Sequence, residues 1–164
     1  LFRQVLRHKL KQFGHDHLNM ASTYGNIGNV YEAQGKYADA IEMHKKCLAI
    51  KTRIHGPDHP DVADTQNNIA VVLDNQGKYQ EALEMHSKAL TTREKVLGPD
   101  HRDVAMTQNN IGCVLQEQGK LPEALDMHNK ALKTRIAVLG YEHPLVADTE
   151  NAILSLKRDI KYAP

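Results

Sequence analysis

The sequence is short of the features that announce a function most directly. Only two cysteines, Cys47 and Cys113, occur in its 164 residues, and they sit at different phases of the repeat described below. That argues against a disulfide framework and fits a reducing compartment, so a cytoplasmic protein is expected. No apolar run approaches the roughly 20 residues needed to cross a bilayer, and no signal-peptide pattern is present. Neither sign of charge is in excess: 21 lysines and arginines face 20 acidic residues, a net charge of +1. Neither nucleic acid nor a membrane surface is therefore an expected partner. A Gly-rich phosphate loop, a nucleophile elbow and a His-Glu-x-x-His segment are all missing, so no enzyme and no cofactor is expected.

What the sequence does have is a repeat. Residues 59–98, HPDVADTQNNIAVVLDNQGKYQEALEMHSKALTTREKVLG, return at 101–140 as HRDVAMTQNNIGCVLQEQGKLPEALDMHNKALKTRIAVLG, and a weaker copy spans 17–56. A unit of about 42 residues made of two helical patterns and two breakers is the mark of a stacked all-α solenoid, in which each unit buries its apolar face against its neighbours. The expected organisation is a second helix of an upstream partial repeat at 1–14, repeats at 15–56, 57–98 and 99–140, and a partial repeat or capping helix at 141–164. A chain that opens in mid-repeat reads as an excerpt of a longer array.

Local chemistry places the helix ends. Pro60 suits a first helical turn, where its missing N–H costs nothing, and Asp58 and Asp61 lie where the helix dipole favours negative charge. Gly35, Gly77 and Gly119 stop the first helices. Val62, Ala63, Ile69, Ala70 and Leu73 are expected inward on one first helix, and Ala82, Leu83, Met85, Ala89, Leu90, Val96 and Leu97 on the second helix that follows. Val138 and Leu139 match the last two. Small residues recur at Gly28, Ala70 and Gly112 and at Ala40, Ala82 and Ala124, where antiparallel helices would touch most closely.

Ten histidines invite a metal hypothesis. His44, His86 and His128 recur on the second helices, and His17, His59, His101 and His143 in the loops. Equivalent places are on the order of 10 Å apart for each interhelix step, whereas zinc needs ligands about 2 Å from one centre. No metal site is expected, with His55/His59 and His15/His17 the only local pairs. Half-buried packing on the helices and polar caps in the loops account for the rest. Cys47 falls on the small-residue place of Ala89 and Ala131 and should be buried.

Thr65, Asn67, Asn68, Ile69 and Ala70, then Gln76, Gly77, Lys78, Tyr79, Glu81, Ala82 and Leu83, then Lys88, Ala89, Leu90, Arg93, Val96, Leu97 and Gly98, together with His59-Pro60-Asp61-Val62-Ala63, carry a family likeness. The pattern resembles the tetratricopeptide repeat (TPR), in the long-helix variety of kinesin light chains and nephrocystin-like proteins. The resemblance implies a right-handed superhelix of antiparallel helix pairs whose first helices line a concave groove for a partner's peptide. Asn29 and Asn68 match two asparagines with which some TPR domains clamp a terminal carboxylate. Gly25, Met106 and Asn110 stand where the basic companions would be.

The groove implied is lined by Asn26, Asn29, Glu32, Asp64, Asn67, Asn68, Asp74, Asn75, Asn109, Asn110, Gln116 and Asp148, with Arg158 as the main cation and Cys113 facing it. An asparagine side chain donates and accepts, so a ladder of them can hold a peptide backbone without reading its side chains. All four of Asn67, Asn68, Asn109 and Asn110 are open to a second reading, in which they bond neighbouring helices and keep register, and Asn67 and Asn109 fit it better than Asn68 and Asn110. The expected peptide contacts are Asn26, Asn29, Asp64, Asn67, Asn68, Asp74, Asn109, Asn110 and Cys113, and the expected partner is a neutral or basic peptide. A base-by-base RNA reader fits poorly, since Gln66-Asn67-Asn68 and Gln108-Asn109-Asn110 are identical. A self-associating spacer, which would be a homo-oligomer, is the alternative to a peptide-binding adaptor.

Overall fold

The computed structural model describes Gln4, His8, Lys9 and residues 17–162, so the helix expected over 1–14 lies almost wholly outside the described residues. Seven α-helices and no strand occur among them: α1 (Leu18–Ala33), α2 (Tyr37–His55), α3 (Pro60–Asn75), α4 (Tyr79–Leu97), α5 (Arg102–Glu117), α6 (Leu121–Leu139) and α7 (Pro144–Lys161). Helices of 16 and 19 residues alternate three times before α7, with 18, departs. None is long and apolar enough to cross a membrane.

The loop histidines begin these helices. Nδ1 of His17, His59, His101 and His143 accepts the backbone N–H two residues on, at 3.1–3.2 Å. Each imidazole thus takes the place usually held by a serine or aspartate cap, satisfying one of the orphan donors of the first turn. Pro60 and Pro144 open α3 and α7. The first helices end in a Schellman turn: at the end of α1, Gly35 N–H bonds Glu32 O and Lys36 N–H bonds Tyr31 O, both at 2.8 Å. Gly35 takes φ +71°, a conformation that excludes most side chains.

The chain forms two compact units, one up to Met85 and one from His86. In the first, α1 packs on α2 and α2 on α3. Its core joins Met20, Ala21, Tyr24, Cys47 and Ile50, with Met43 against it. In the second, α5 packs on α6 and α6 on α7, burying Val104, Ala105, Val114, Ala124, Ala131, Val146 and Leu156. Two expected inward residues are not inward: Val96 and Val138 are 46% and 47% exposed. They lie in the last turns of α4 and α6, each followed by a half-buried leucine, Leu97 and Leu139.

The helix histidines are more deeply placed than half-buried packing would have them, since His44, His86 and His128 are all buried. A Cβ added at Gly28 would come within 2.7 Å of the His44 ring, and one at Gly112 within 2.8 Å of His128. Ring and glycine are one feature, because the imidazole occupies the space a side chain would need. Gly112→Val is accordingly expected to cost about 1–3 kcal/mol by overpacking. A urea midpoint equal to that of the native protein would show that the hairpin opens freely there.

Candidate functional site

The candidate surface is the outer face of the first helices. On the first unit, α1 brings Asn26 and Asn29 to one face three residues apart, and α3 does the same for Asp64 and Asn68 at a spacing of four. All four are exposed. Asn26, Asn29 and Asn68 make no side-chain hydrogen bond among the described residues. Asp74 is half-buried nearer the end of α3, and next to it Asn75 Nδ2 donates to Glu32 Oε1 at 3.2 Å, tying the ends of α1 and α3. Burial raises the Glu32 carboxyl above its ordinary range, a shift the Asn75 bond partly opposes. Neither α1 nor α3 carries a lysine or arginine, whereas Glu32, Asp61, Asp64 and Asp74 all lie on them.

The neighbouring asparagines are placed otherwise. Asn67 is only 6% exposed, so it is not on the surface expected of it. Asn109, its equivalent on α5, is half-buried and turned toward α6, where its Oδ1 takes His128 Nδ1 at 3.1 Å and Arg135 Nη1 at 3.4 Å. Because that oxygen can only accept, His128 carries its proton on Nδ1. Asn110 is half-buried, and Cys113 is exposed with its Sγ 3.9 Å from Asn109 Nδ2. Arg158 is exposed beside Asp159, at 3.7 Å.

Each unit also holds buried polar joints that sequence reasoning missed. Arg93 Nη1 donates to Asp103 O at 3.2 Å and to Thr107 Oγ1. Arg135 Nη1 repeats the contact on Leu145 O at 3.1 Å and Thr149 Oγ1. In the first unit Lys51 Nζ donates to Asp61 O at 3.2 Å, and Lys9 Nζ to Thr23 Oγ1 at 3.1 Å. Each threonine hydroxyl also bonds the carbonyl four residues back. A long basic side chain on one hairpin therefore closes over the first turn of the next. The available signal was a basic residue followed by threonine fourteen positions later, four times over.

These cations and burial act together on the helix histidines. Burial, then the Arg93 charge, brings His86 down to about 4. His44 is lowered by burial and Lys51, and His128 by burial and Arg135. All three are neutral packing groups at neutral pH. Cys47, also buried, has its thiol pushed up chiefly by burial and is an inert core residue.

Sequence reasoning also missed a small cavity of about 240 Å³ in the second unit, floored by Met106, Val138, Leu139 and Leu145 with Arg102 and Arg135 beside them. It is smaller than the ~300–1,000 Å³ of a typical small-molecule site. Among the described residues one group of side chains comes close enough together for a metal ion, His55, His59 and Asp61.

Alternating helices with a buried joint at each hairpin define an all-α helical-repeat protein. The chain belongs to the tetratricopeptide repeat family, whose pattern matches residues 1–53, 19–95 and 61–137. Similar solved structures include BtubC (BKLC) of P. vanneervenii, 21% identical with a TM-score of 0.86 over 98% of this chain and 64% of that one. A kinesin light chain-like protein of Podosopora anserina with nearly identical TPR-like repeats is 19% identical, with a TM-score of 0.82 over 99% of this chain and 76% of its own. The first TPR of Spaghetti (RPAP3), bound to the HSP90 peptide SRMEEVD, is 18% identical with a TM-score of 0.65, covering 90% of this chain and 98% of that one. At these identities the likeness is one of fold. The chain spans about two thirds of BtubC, 64% of its length. No curated protein matches the sequence.

Proposed function

We propose that this array is a non-catalytic adaptor that holds a peptide segment of a partner protein on the exposed polar face of its first helices, and that the segment is neutral or basic. The chain is a tetratricopeptide repeat protein, and stacked helical repeats in general serve protein interaction through the surfaces they build. The observation that carries the reading is the state of Asn26, Asn29 and Asn68: exposed on adjacent first helices, with amides engaged by nothing in the described chain. Such amides can pair with a peptide backbone, donor to carbonyl and acceptor to N–H. Their setting supports the charge preference, because α1 and α3 carry carboxylates and no cation. The peptide SRMEEVD held by Spaghetti has two glutamates and an aspartate. A peptide of that charge would meet Asp64 and Asp74 here.

An array of immobilised peptides graded in charge tests both parts. Basic and neutral peptides are expected to retain the protein and acidic ones to release it. Asn26→Ala/Asn68→Ala is expected to weaken retention about tenfold or more, at about 1 kcal/mol for each lost hydrogen bond, with the melting temperature unchanged. Preference for acidic peptides would overturn the charge assignment. Retention indifferent to the double substitution would overturn the role of the asparagines.

A further inference from the structure

We propose that His55, His59 and Asp61 bind a divalent transition-metal ion, with zinc the best match. His55 is the last residue of α2, His59 caps α3, and Asp61 lies in the first turn of α3. One ligand atom from each lies within 4.8 Å of the other two. His55 Nε2 is 3.7 Å from Asp61 Oδ2, close to the roughly 3.4 Å that separates two ligands on a tetrahedral zinc. The ladder of equivalent histidines is too wide for a metal, but this group belongs to a single joint.

That joint departs from the repeat. Leu97 and Leu139 occupy the places that correspond to His55, so the next two joints have a capping histidine but no second imidazole. An apolar position has become a nitrogen donor only where His59 and Asp61 can share it. The two rings stack with centroids 4.2 Å apart and planes at 16°. To share one ion they must splay, and His55 is able to turn because its Nε2 makes no hydrogen bond among the described residues.

Two features set the affinity below that of a structural zinc finger. His59 Nδ1 accepts Asp61 N–H at 3.1 Å, so coordination through either ring nitrogen gives up that capping bond, by displacement at Nδ1 or by a change of tautomer at Nε2. Lys51 Nζ, on Asp61 O at 3.2 Å, adds a positive charge nearby. Two imidazoles and one carboxylate suit zinc rather than magnesium or calcium, which take oxygen ligands. Three protein ligands leave a fourth position for water or for a donor from a bound partner.

Calorimetric titration of the chain with zinc chloride at pH 7.5 tests the site, with His55→Leu as comparison. Leucine is the residue of the two corresponding places, so the variant keeps the fold, which its far-UV dichroism will verify. One zinc is expected to bind in the micromolar range and to bind at least about tenfold more weakly to His55→Leu and to Asp61→Asn, with no response to magnesium chloride. No zinc binding in that range, equal binding by His55→Leu, or magnesium binding as tightly as zinc would each overturn the assignment.

Discussion

Replacing Arg93 by methionine is expected to destabilise the protein by about 2–4 kcal/mol, because hydrogen bonds from a charged donor contribute about 1.5–3 kcal/mol each and two are lost. The melting temperature should fall by about 5–15 °C. Arg93 is 2% exposed, and its guanidinium bonds both Asp103 O and Thr107 Oγ1. Methionine keeps most of the length and apolar volume, so the loss isolates the polar contact. Arg93→Lys should recover much of it, since Lys51 makes the same bond to Asp61 O in the first unit. Stability in a repeat array is a sum over neighbouring interfaces, so the loss should also appear as earlier melting of one part of the chain. Thermal scans followed by helix content and by hydrogen exchange at α5 check both points. A methionine variant within 1 kcal/mol of the native protein would mean that water satisfies these carbonyls equally well.

Acid should be the second large perturbation. His86 is 1% exposed and titrates at about 4 in the folded protein, against about 6.5 in an unfolded chain. Between these values the unfolded state binds the proton and the folded state does not, so stability falls as the pH falls. The contribution is complete above about pH 6.5 and is spent near pH 4, and for His86 alone it amounts to about 3 kcal/mol. His44 and His128 are shifted in the same direction and add to it. Urea unfolding at pH 7 and pH 4.5 measures the loss. His86→Gln, which takes up no proton in this range, should remove the His86 share of the difference; a variant with undiminished acid sensitivity would place the titration elsewhere.

Both effects arise from buried polar groups of the second unit, whereas the surface proposed for peptide binding lies on the first. Asn109 shows how the two are divided. Its Oδ1 is held by His128 and Arg135, so it serves the joint, whereas Asn26 and Asn68 face outward. Substitutions at Asn109 should therefore register in stability, and those at Asn26 and Asn68 in binding.

Much of the architecture is set by chemistry that acts over a few residues and is therefore legible in the chain. A histidine two residues before the N–H it caps, a proline in the first turn and a glycine with positive φ at the last determine where helices start and stop, and recurrence every 42 residues determines how many there are. The carboxylates and the missing cations of α1 and α3 are equally plain, because they are a matter of composition. Orientation is not local in the same way. Asn67 and Asn68 are the same residue type at successive positions, and a helix turns about 100° between them, so one goes inward and the other outward. Only the packing of the neighbouring hairpin decides which. The same holds for Arg93 and Arg135, which look like surface charges until a fourteen-residue separation is folded into contact with threonine. It holds too for Asp61: the sequence shows His55 and His59 as a local pair, and only the turn from α2 into α3 brings the Asp61 carboxylate to both.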